Sequence, residues 1–158
     1  MKKIISLLAL LSLFSCASSP ESIIQREKIV EVNSDNGLAI KGYDPVSYFT
    51  KKQPTQGKEV FTYRHKGLIW KFSSKENLNL FIENPTRYEP QFGGYCSYAM
   101  SNGDILDINP NNWAITDDKL YLNNNIVAHK LWKNDMKEKI KSANFNWKII
   151  PKKSFAKK

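Results

Sequence analysis

Apolar and polar residues alternate in two neighbouring segments near the middle of the chain, and this pattern predicts a β-hairpin. The segments, residues 61–65 and 68–72, flank Lys66-Gly67. A two-residue turn at Lys66-Gly67 would bring six mostly aromatic side chains onto one face, with His65 on that face near the turn. The predicted cross-strand pairs are His65 with Leu68, Tyr63 with Trp70 and Phe61 with Phe72.

A second hairpin is predicted closer to the C-terminus. Residues 113–116 and 120–123 are its strands, and residues 117–119 connect them. The segment before it, residues 109–112, contains three asparagines and a proline, which is typical of a loop.

Near the N-terminus, weak alternation predicts a first strand at residues 27–33. Asn36-Gly37 follows it and is the strongest short turn signal in the chain. We therefore expect residues 38–41 to be the partner of this first strand.

Helical spacing of apolar residues begins after the first hairpin. Ser73 and Glu76 have the spacing of a capping box, and the helix that they start would end before Asn84-Pro85. Asp44-Pro45 predicts a shorter helix in which Asp44 is the N-cap and proline occupies the first turn.

One long helix is predicted from Asn125 to about Ala143, because apolar residues recur there near helical spacing and lysines lie mostly on the other side. A chain of 158 residues is long enough for one domain with a real core. The predicted fold class is therefore α+β: a small single domain of antiparallel β-hairpins packed against several helices, including this long C-terminal helix.

The formal net charge of +9 raises nucleic acid as a partner. The lysines are spread thinly, however, and no nucleic-acid-binding motif accompanies them. We expect a solvated basic surface, with at most a loose attraction to anionic lipid headgroups, and no nucleic acid as partner.

The N-terminus has the pattern of a bacterial export signal. Lys2-Lys3 precede an apolar run at residues 4–14, which is too short to span a bilayer as a helix. The run ends in Leu-Phe-Ser-Cys, which is similar to a lipobox, although Phe14 is unusual in one. We therefore predict lipidation of Cys16, the alternative being an ordinary signal peptide with Cys16 incidental.

These features divide the chain and locate it. The predicted boundaries are a signal peptide at residues 1–15, a lipidated N-terminus and tether at 16–26, a folded domain at 27–150, and a basic tail at 151–158. The mature protein would be held to a bacterial membrane through its lipid, facing the periplasm or the cell exterior.

Cys96 is the main candidate for chemistry. The chain has two cysteines, so lipidation of Cys16 would leave Cys96 unpaired in an oxidising compartment, where a thiol is expected to be buried, bound to metal or used. Gly93-Gly94 precedes it, and a helix beginning near Tyr95 would favour its thiolate form. The alternative is an inert apolar plug beneath Tyr95 and Tyr98.

Three motifs of the chain are found together in one family. They are Gly42-Tyr43-Asp44-Pro45-Val46-Ser47-Tyr48-Phe49, Trp70-Lys71-Phe72-Ser73-Ser74-Lys75-Glu76-Asn77 and Gly93-Gly94-Tyr95-Cys96-Ser97-Tyr98-Ala99. Over roughly residues 40–148 the chain resembles YHS-domain proteins of the secreted bacterial kind. The resemblance implies a small α+β module of a family often proposed to bind metal, in which some relatives carry selenocysteine at the position of Cys96. His129 matches no part of the family pattern.

Two functional hypotheses follow, with a purely structural or interaction module as the third. In the first, Cys96 binds a thiophilic metal, copper being favoured, with His65 and Asp44 as helpers and Met100 as a possible thioether ligand. A four-ligand zinc site is not expected from one cysteine and two histidines. In the second, Cys96 is a readily ionised thiolate in redox chemistry, using an external resolving thiol and a hydrogen bond from Tyr43, Tyr48 or Tyr98.

Overall fold

Three small sheets and six α-helices make up the part of the chain that the computed structural model describes, residues 29–153. The α+β class and the antiparallel hairpins packed against helices are confirmed. None of the helices in that part of the chain combines the length and the apolar character needed to cross a membrane.

Two strands near the N-terminus form a small hairpin at the edge of the largest sheet. Strand β1 (Ile29–Val30) is followed by β2 (Ser34–Asp35) and β3 (Leu38–Ala39). The predicted turn at Asn36-Gly37 connects β2 to β3, and both turn residues have positive φ, as in the turns that fit the twist of a hairpin.

The partner predicted for the first strand is wrong. β1 pairs in parallel with β8 (Lys152–Lys153), whereas β3 pairs with β2 and, in parallel, with Ile69. Residues 152–153, predicted to lie in a basic tail, therefore contribute a strand to the fold. The Lys152 ammonium also lies 4.3 Å from the centre of the Trp147 ring.

The central hairpin consists of β4 (Lys58–His65) and β5 (Leu68–Phe72), and the sheet order is β2-β3-β5-β4. The predicted pairs of His65 with Leu68 and of Tyr63 with Trp70 are confirmed. Side chains of β5 that face the core are fully buried, as the alternation predicts.

The third predicted pair of this hairpin is wrong, because Phe72 lies opposite Lys58 and the register shifts between Lys58 and Thr62. Gly57, just before β4, passes so close to Lys71 that an added Cβ would lie 2.4 Å from the Lys71 Cβ. The close crossing and the irregular start of β4 together displace Phe61 from the expected position.

Helix α1 (Ser47–Thr50) precedes the central hairpin, and three helices lie between the central hairpin and the second hairpin: α2 (Lys75–Glu83), α3 (Pro85–Tyr88) and α4 (Ser97–Ser101). The N-cap of α2 is Ser74 rather than Ser73: the Ser74 side chain accepts a hydrogen bond from the Asn77 N–H. Ser73 is instead engaged by Asp44, to which its hydroxyl donates.

The second hairpin pairs β6 (Asn109–Thr116) with β7 (Lys119–Asn123). Its turn is the two residues Asp117-Asp118, both with positive φ, and Thr116 lies opposite Lys119. Residues 109–112, predicted to be a loop, belong to β6, in which a register shift between Asn109 and Trp113 accommodates them.

The predicted long helix is two helices, α5 (Ile126–Asn134) and α6 (Met136–Ile149). Asn125 caps α5 as expected, since its side chain accepts from the Ala128 N–H at 2.9 Å. Asp135 interrupts the pattern with a φ of −145° and a ψ of 55°. Asn134 and Asp135 are weak helix formers, because their side chains compete for the backbone hydrogen bonds.

The core has two parts, and α4 lies between them. The first part contains Trp70, Phe72 and Phe81 together with Cys96, and the second contains Met100, Tyr121 and Trp132 among its members. The thiol and the thioether that are four residues apart in sequence therefore pack into different parts of the core.

Candidate functional site

Cys96 lies immediately before α4 and not in its first turn, so the predicted start of this helix near Tyr95 is wrong. The chain reaches Cys96 through a 3₁₀ turn at Gln91–Gly94 in which Phe92, Gly93 and Gly94 have positive φ. Cys96 is the N-cap of α4 and has a ψ of 115°, outside the helical region, and its N–H donates to the Leu106 carbonyl at 2.9 Å. Helix α4 has one full turn and adds little dipole.

Two asparagines at the end of β7, Asn123 and Asn124, lie next to the Cys96 sulfur. The Asn124 backbone N–H donates to Sγ at 3.3 Å, and Sγ lies 3.9 Å from Asn123 Oδ1, to which the thiol can donate. Asn123 Oδ1 also accepts from the Tyr98 N–H at 3.1 Å, which fixes the orientation of its amide. The N–H of Asn124 stabilises negative charge on the sulfur.

Two buried polar atoms next to this thiol have no hydrogen-bond partner among the described residues. They are the Oγ atom of Ser97 and the Nδ2 atom of Asn123, and both residues are fully buried. Unpaired polar atoms in a protein interior are rare and costly. Ser97 and Asn123 are therefore positions where a buried water molecule would be expected to complete the hydrogen bonding.

A groove opens over Cys96 between the Leu106 loop and the start of α5. It has a volume of about 310 Å³ and is lined by Cys96, Tyr98, Leu106, Asn124, Asn125, Ile126, Val127, Ala128 and Leu131. Cys96 is part of this lining and is only 1% exposed. Among the residues that the structure describes, Cys96 is buried and has no disulfide partner, and the groove leads towards it from the surface.

Comparisons with known proteins add no function to this geometry. No protein-family model matches the chain, and neither does any curated protein or solved structure. The resemblance to YHS domains accordingly stays a prediction from the three motifs. A site at Cys96 rests on the contacts of its sulfur and on the groove above it.

His65 does not reach Cys96 through any hydrogen bond and instead faces Glu89. His65 Nε2 lies 2.5 Å from Glu89 Oε1, and Lys66 Nζ lies 2.6 Å from Glu89 Oε2. The Trp70 indole N–H donates to the His65 carbonyl. The turn end of the hairpin is therefore bound both by Glu89 and by Trp70. In this arrangement His65 binds the partly buried carboxylate of Glu89 and packs against Trp70 and Phe81 of the first part of the core.

Asp44 is fully buried, and both of its carboxylate oxygens are in use. Oδ1 accepts from the N–H groups of Val46 and Ser47 at the start of α1. The N-cap of α1 is Val46, however, so the predicted N-cap at Asp44, with Pro45 in the first turn, is wrong. Oδ2 accepts from the Ser73 N–H, the Ser73 hydroxyl and the Asn77 amide. The carboxylate therefore ties the start of α1 to β5 and α2.

The three proposed metal ligands, Cys96, His65 and Asp44, belong to three separate hydrogen-bond networks. Within residues 29–153, no group of three or more His, Cys, Asp or Glu side chains is arranged to hold a metal ion. Met100, considered as a thioether ligand, packs against Trp132 and Tyr121 in the second part of the core. The structure therefore does not bring the proposed ligand set together.

The four candidate supporting tyrosines have other partners. The Tyr48 hydroxyl donates to the Pro110 carbonyl at 3.0 Å, and burial is the main reason that the pKa of Tyr48 is raised. The Tyr95 hydroxyl donates to the Val30 carbonyl at 3.1 Å, while Tyr43 packs against the first part of the core. Tyr98 alone touches the site, through its backbone N–H and as a wall of the groove.

Two further candidate residues are Cys16 and His129. Cys16, predicted to carry the lipid, lies outside the described residues. His129 lies half-buried in α5, where burial and, to a smaller extent, Lys133 lower its pKa. A histidine that resists protonation and stands beside a lysine is a poor candidate for binding anions, and its position gives it no contact with the Cys96 sulfur.

Asn123 and Asn124 are site residues that the sequence did not reveal. Asn123 was expected only to end a strand, and Asn124 had no predicted role. The available signal was a run of three asparagines directly after the apolar segment Leu120–Leu122. A polar residue that continues a buried strand must find hydrogen bonds in the interior, and here one of its neighbours is a thiol.

Asp107 holds the Leu106 side of the groove, and its substitution gives a pH-dependent prediction. Burial raises the pKa of Asp107, but hydrogen bonds from Lys41, Asn33 and the Ile108 N–H outweigh this, so its pKa lies below the usual value. A lowered carboxyl pKa contributes stability that is present above the unfolded value of about 3.9 and disappears as the pH falls through the folded value.

We expect Asp107→Asn to lower the free energy of unfolding at pH 7 by under about 1 kcal/mol, because this carboxylate is more than half exposed. The difference from the wild type should shrink at pH 3. Urea unfolding at both pH values measures it, with exposed Asp104→Asn as the control. An equal difference at both pH values would contradict the assignment.

Proposed function

We propose that the chain is an exported, lipid-tethered protein whose working group is the Cys96 thiol, acting in thiol-based redox chemistry. The observation that carries the proposal is the hydrogen bond from the Asn124 N–H to Sγ at 3.3 Å, at the base of a groove that leads from the surface. A backbone donor aimed at sulfur can stabilise negative charge on the attacking atom, and negatively charged sulfur is the nucleophile in thiol chemistry.

The chemistry open to one thiol is exchange with a disulfide. The Cys96 thiolate attacks one sulfur of the disulfide, the S–S bond breaks, and a mixed disulfide forms while the departing thiolate takes a proton from water. A second, external thiol then attacks the mixed disulfide and releases Cys96. The external thiol is needed because residues 29–153 contain no second cysteine.

Binding of a thiophilic metal is the second candidate function, with copper favoured. It is supported by the soft sulfur ligand in apolar surroundings, since Cu(I) accepts few ligands. His65 and Asp44 are engaged elsewhere, so a second ligand would come from a small external molecule or a partner protein. The YHS resemblance is compatible with both functions.

The test compares the folded chain with its unfolded form. The full chain, purified anaerobically in lipid vesicles, is treated at pH 7 with a neutral disulfide, and the same reaction is run in urea. We expect Cys96 to react about tenfold faster in the folded chain, because the groove holds the disulfide beside the sulfur and the Asn124 N–H is aimed at it. Cys96→Ser provides the blank rate and should carry no copper if the wild type does.

The outcomes separate the hypotheses. A thiol that reacts more slowly folded than unfolded, in a chain without stoichiometric metal, would leave only the structural role. Copper that is bound by the wild type and lost in Cys96→Ser would favour the metal function. The tether is checked in the same cells: a palmitate analogue should label the wild type, and label remaining in Cys16→Ser would refute lipidation at Cys16.

A further inference from the structure

We infer that the groove above Cys96 is a binding site for a small, uncharged molecule with an apolar group, which it presents to the thiol. The inference rests on the proposed function of Cys96 as a reactive thiol and adds the class of substrate. It is carried by the apolar lining of the groove, by the absence of charged side chains from that lining and by the size of the groove.

Apolar side chains at the mouth of the groove are exposed without packing against another element. They are Leu106 on one side and Ile126, Val127 and Leu131 on α5. Because Asn125 caps the helix, its first two residues are the apolar pair Ile126-Val127, and Val127 remains 62% exposed. Grouped apolar exposure of this kind marks a surface that binds something apolar.

The lining also contains no Asp, Glu, Lys, Arg or His side chain, although the chain has 24 basic and 15 acidic residues. A charged ligand would lose its hydration in this groove without gaining a partner of opposite charge. A neutral ligand loses much less hydration free energy when it enters the groove. The positive net charge of the protein would favour anions, so a preference for neutral molecules would have to come from the groove itself.

The dimensions favour a small molecule over a peptide or a protein surface. A volume of about 310 Å³ lies at the lower end of the range for small-molecule pockets. The sulfur is at the base, and Cys96 is 1% exposed, so a folded partner could not bring a disulfide to it. A slender molecule entering between Leu106 and Val127 could.

The lining also supplies polar groups beside the thiol. Tyr98, Asn124 and Asn125 belong to it, and the Asn124 N–H lies 3.3 Å from Sγ. The side chains of these three residues can hydrogen-bond to the polar end of a molecule whose apolar end rests on α5. A neutral dialkyl or diaryl disulfide fits a groove that is apolar along α5 and polar beside the thiol. Its reaction with Cys96 is the thiol–disulfide exchange of the proposed function.

The experiment compares three disulfides on the full chain in lipid vesicles: neutral apolar 2,2′-dithiodipyridine, neutral polar hydroxyethyl disulfide and the dianion of Ellman's reagent. Each rate is divided by the rate for the urea-unfolded chain, which removes the intrinsic reactivity of the reagent. We expect this ratio to be about tenfold higher for the apolar disulfide than for the dianion.

The matched variants are Val127→Asp, in the groove, and Val60→Asp, on β4 outside it, where the valine is 78% exposed. Val127→Asp should lower the ratio for the apolar disulfide about tenfold, and Val60→Asp should leave it unchanged. Both valines are exposed, so thermal unfolding should show folded chains in each case.

Failure of this inference differs from failure of the proposed function. If all three disulfides react faster with the folded chain by the same factor, and Val127→Asp changes none of them, Cys96 is a reactive thiol and the groove selects nothing. If none reacts faster than with the unfolded chain, the proposed function fails and the inference fails with it.

Discussion

Gly93→Ala is expected to lower the free energy of unfolding by about 4 kcal/mol, from the sum of backbone strain and steric overlap. An alanine Cβ at this position would lie 2.0 Å from the Glu31 carbonyl oxygen and 3.1 Å from the carbonyl carbon. The obstacle is backbone, so a change of rotamer cannot relieve it. Urea unfolding followed by tryptophan fluorescence measures the loss.

The close approach at Gly93 is part of what holds Cys96 in place. The Gly93 carbonyl accepts from the Asn33 N–H at 2.7 Å, so the turn before Cys96 is fastened to the segment that follows β1. A φ of 59° at Gly93 continues the left-handed backbone that begins at Phe92. Displacing this turn should also move Cys96 away from Asn124 and slow its reaction with disulfides.

Gly37→Ala is the control for this prediction. Gly37 has a φ of 81°, but nothing lies within 4 Å of an added Cβ, so the substitution adds backbone strain without overlap. We expect it to cost about 1 kcal/mol. Equal losses for the two variants would mean that the contact with Glu31 is not the reason Gly93 is glycine.

Local features of the fold followed from the sequence. The turns at Asn36-Gly37 and Lys66-Gly67 and the cap at Asn125 depend on residues a few positions apart, and all three were predicted correctly. Register near a two-residue turn is set by the turn itself. Away from the turn, a close crossing such as Gly57 over Lys71 can shift it, and nothing in β4 indicates that crossing.

Contacts between distant segments did not follow from the sequence. Asn124 lies 28 residues after Cys96, and Glu89 lies 24 residues after His65. Alternation shows which face of a strand is buried, but it does not show which other segment covers that face. Cys96 could therefore be selected from its isolation and its glycines, whereas its partners and the groove required the fold.

Asp44 makes both kinds of contact: local ones with Val46 and Ser47, and distant ones with Ser73 and Asn77. Asp44→Asn should lower the free energy of unfolding by about 4 kcal/mol, since buried hydrogen bonds to a charged group contribute about 1.5–3 kcal/mol each and unpaired donors are costly. The carboxylate accepts five hydrogen bonds, from two backbone N–H groups at the start of α1 and from Ser73 and Asn77.

An asparagine cannot satisfy this arrangement in either orientation of its amide. If its oxygen stays with the N–H groups of Val46 and Ser47, its NH₂ group faces the Ser73 N–H and the Asn77 amide. If the amide turns over, the NH₂ group faces Val46 and Ser47 instead. In the first case the Ser73 N–H loses its acceptor, and in the second the N–H groups of Val46 and Ser47 lose theirs. The isosteric change separates this electrostatic cost from any loss of volume.

The measurement is urea unfolding of Asp44→Asn beside Asp104→Asn, an exposed position where the same change should cost little. The variant pair also bears on metal binding. A carboxylate that is fully occupied by N–H and O–H donors has no lone pair free for copper, so chelators should not reproduce the loss seen in Asp44→Asn. An Asp44→Asn chain as stable as the wild type would contradict the five-bond arrangement and would restore Asp44 as a possible metal ligand.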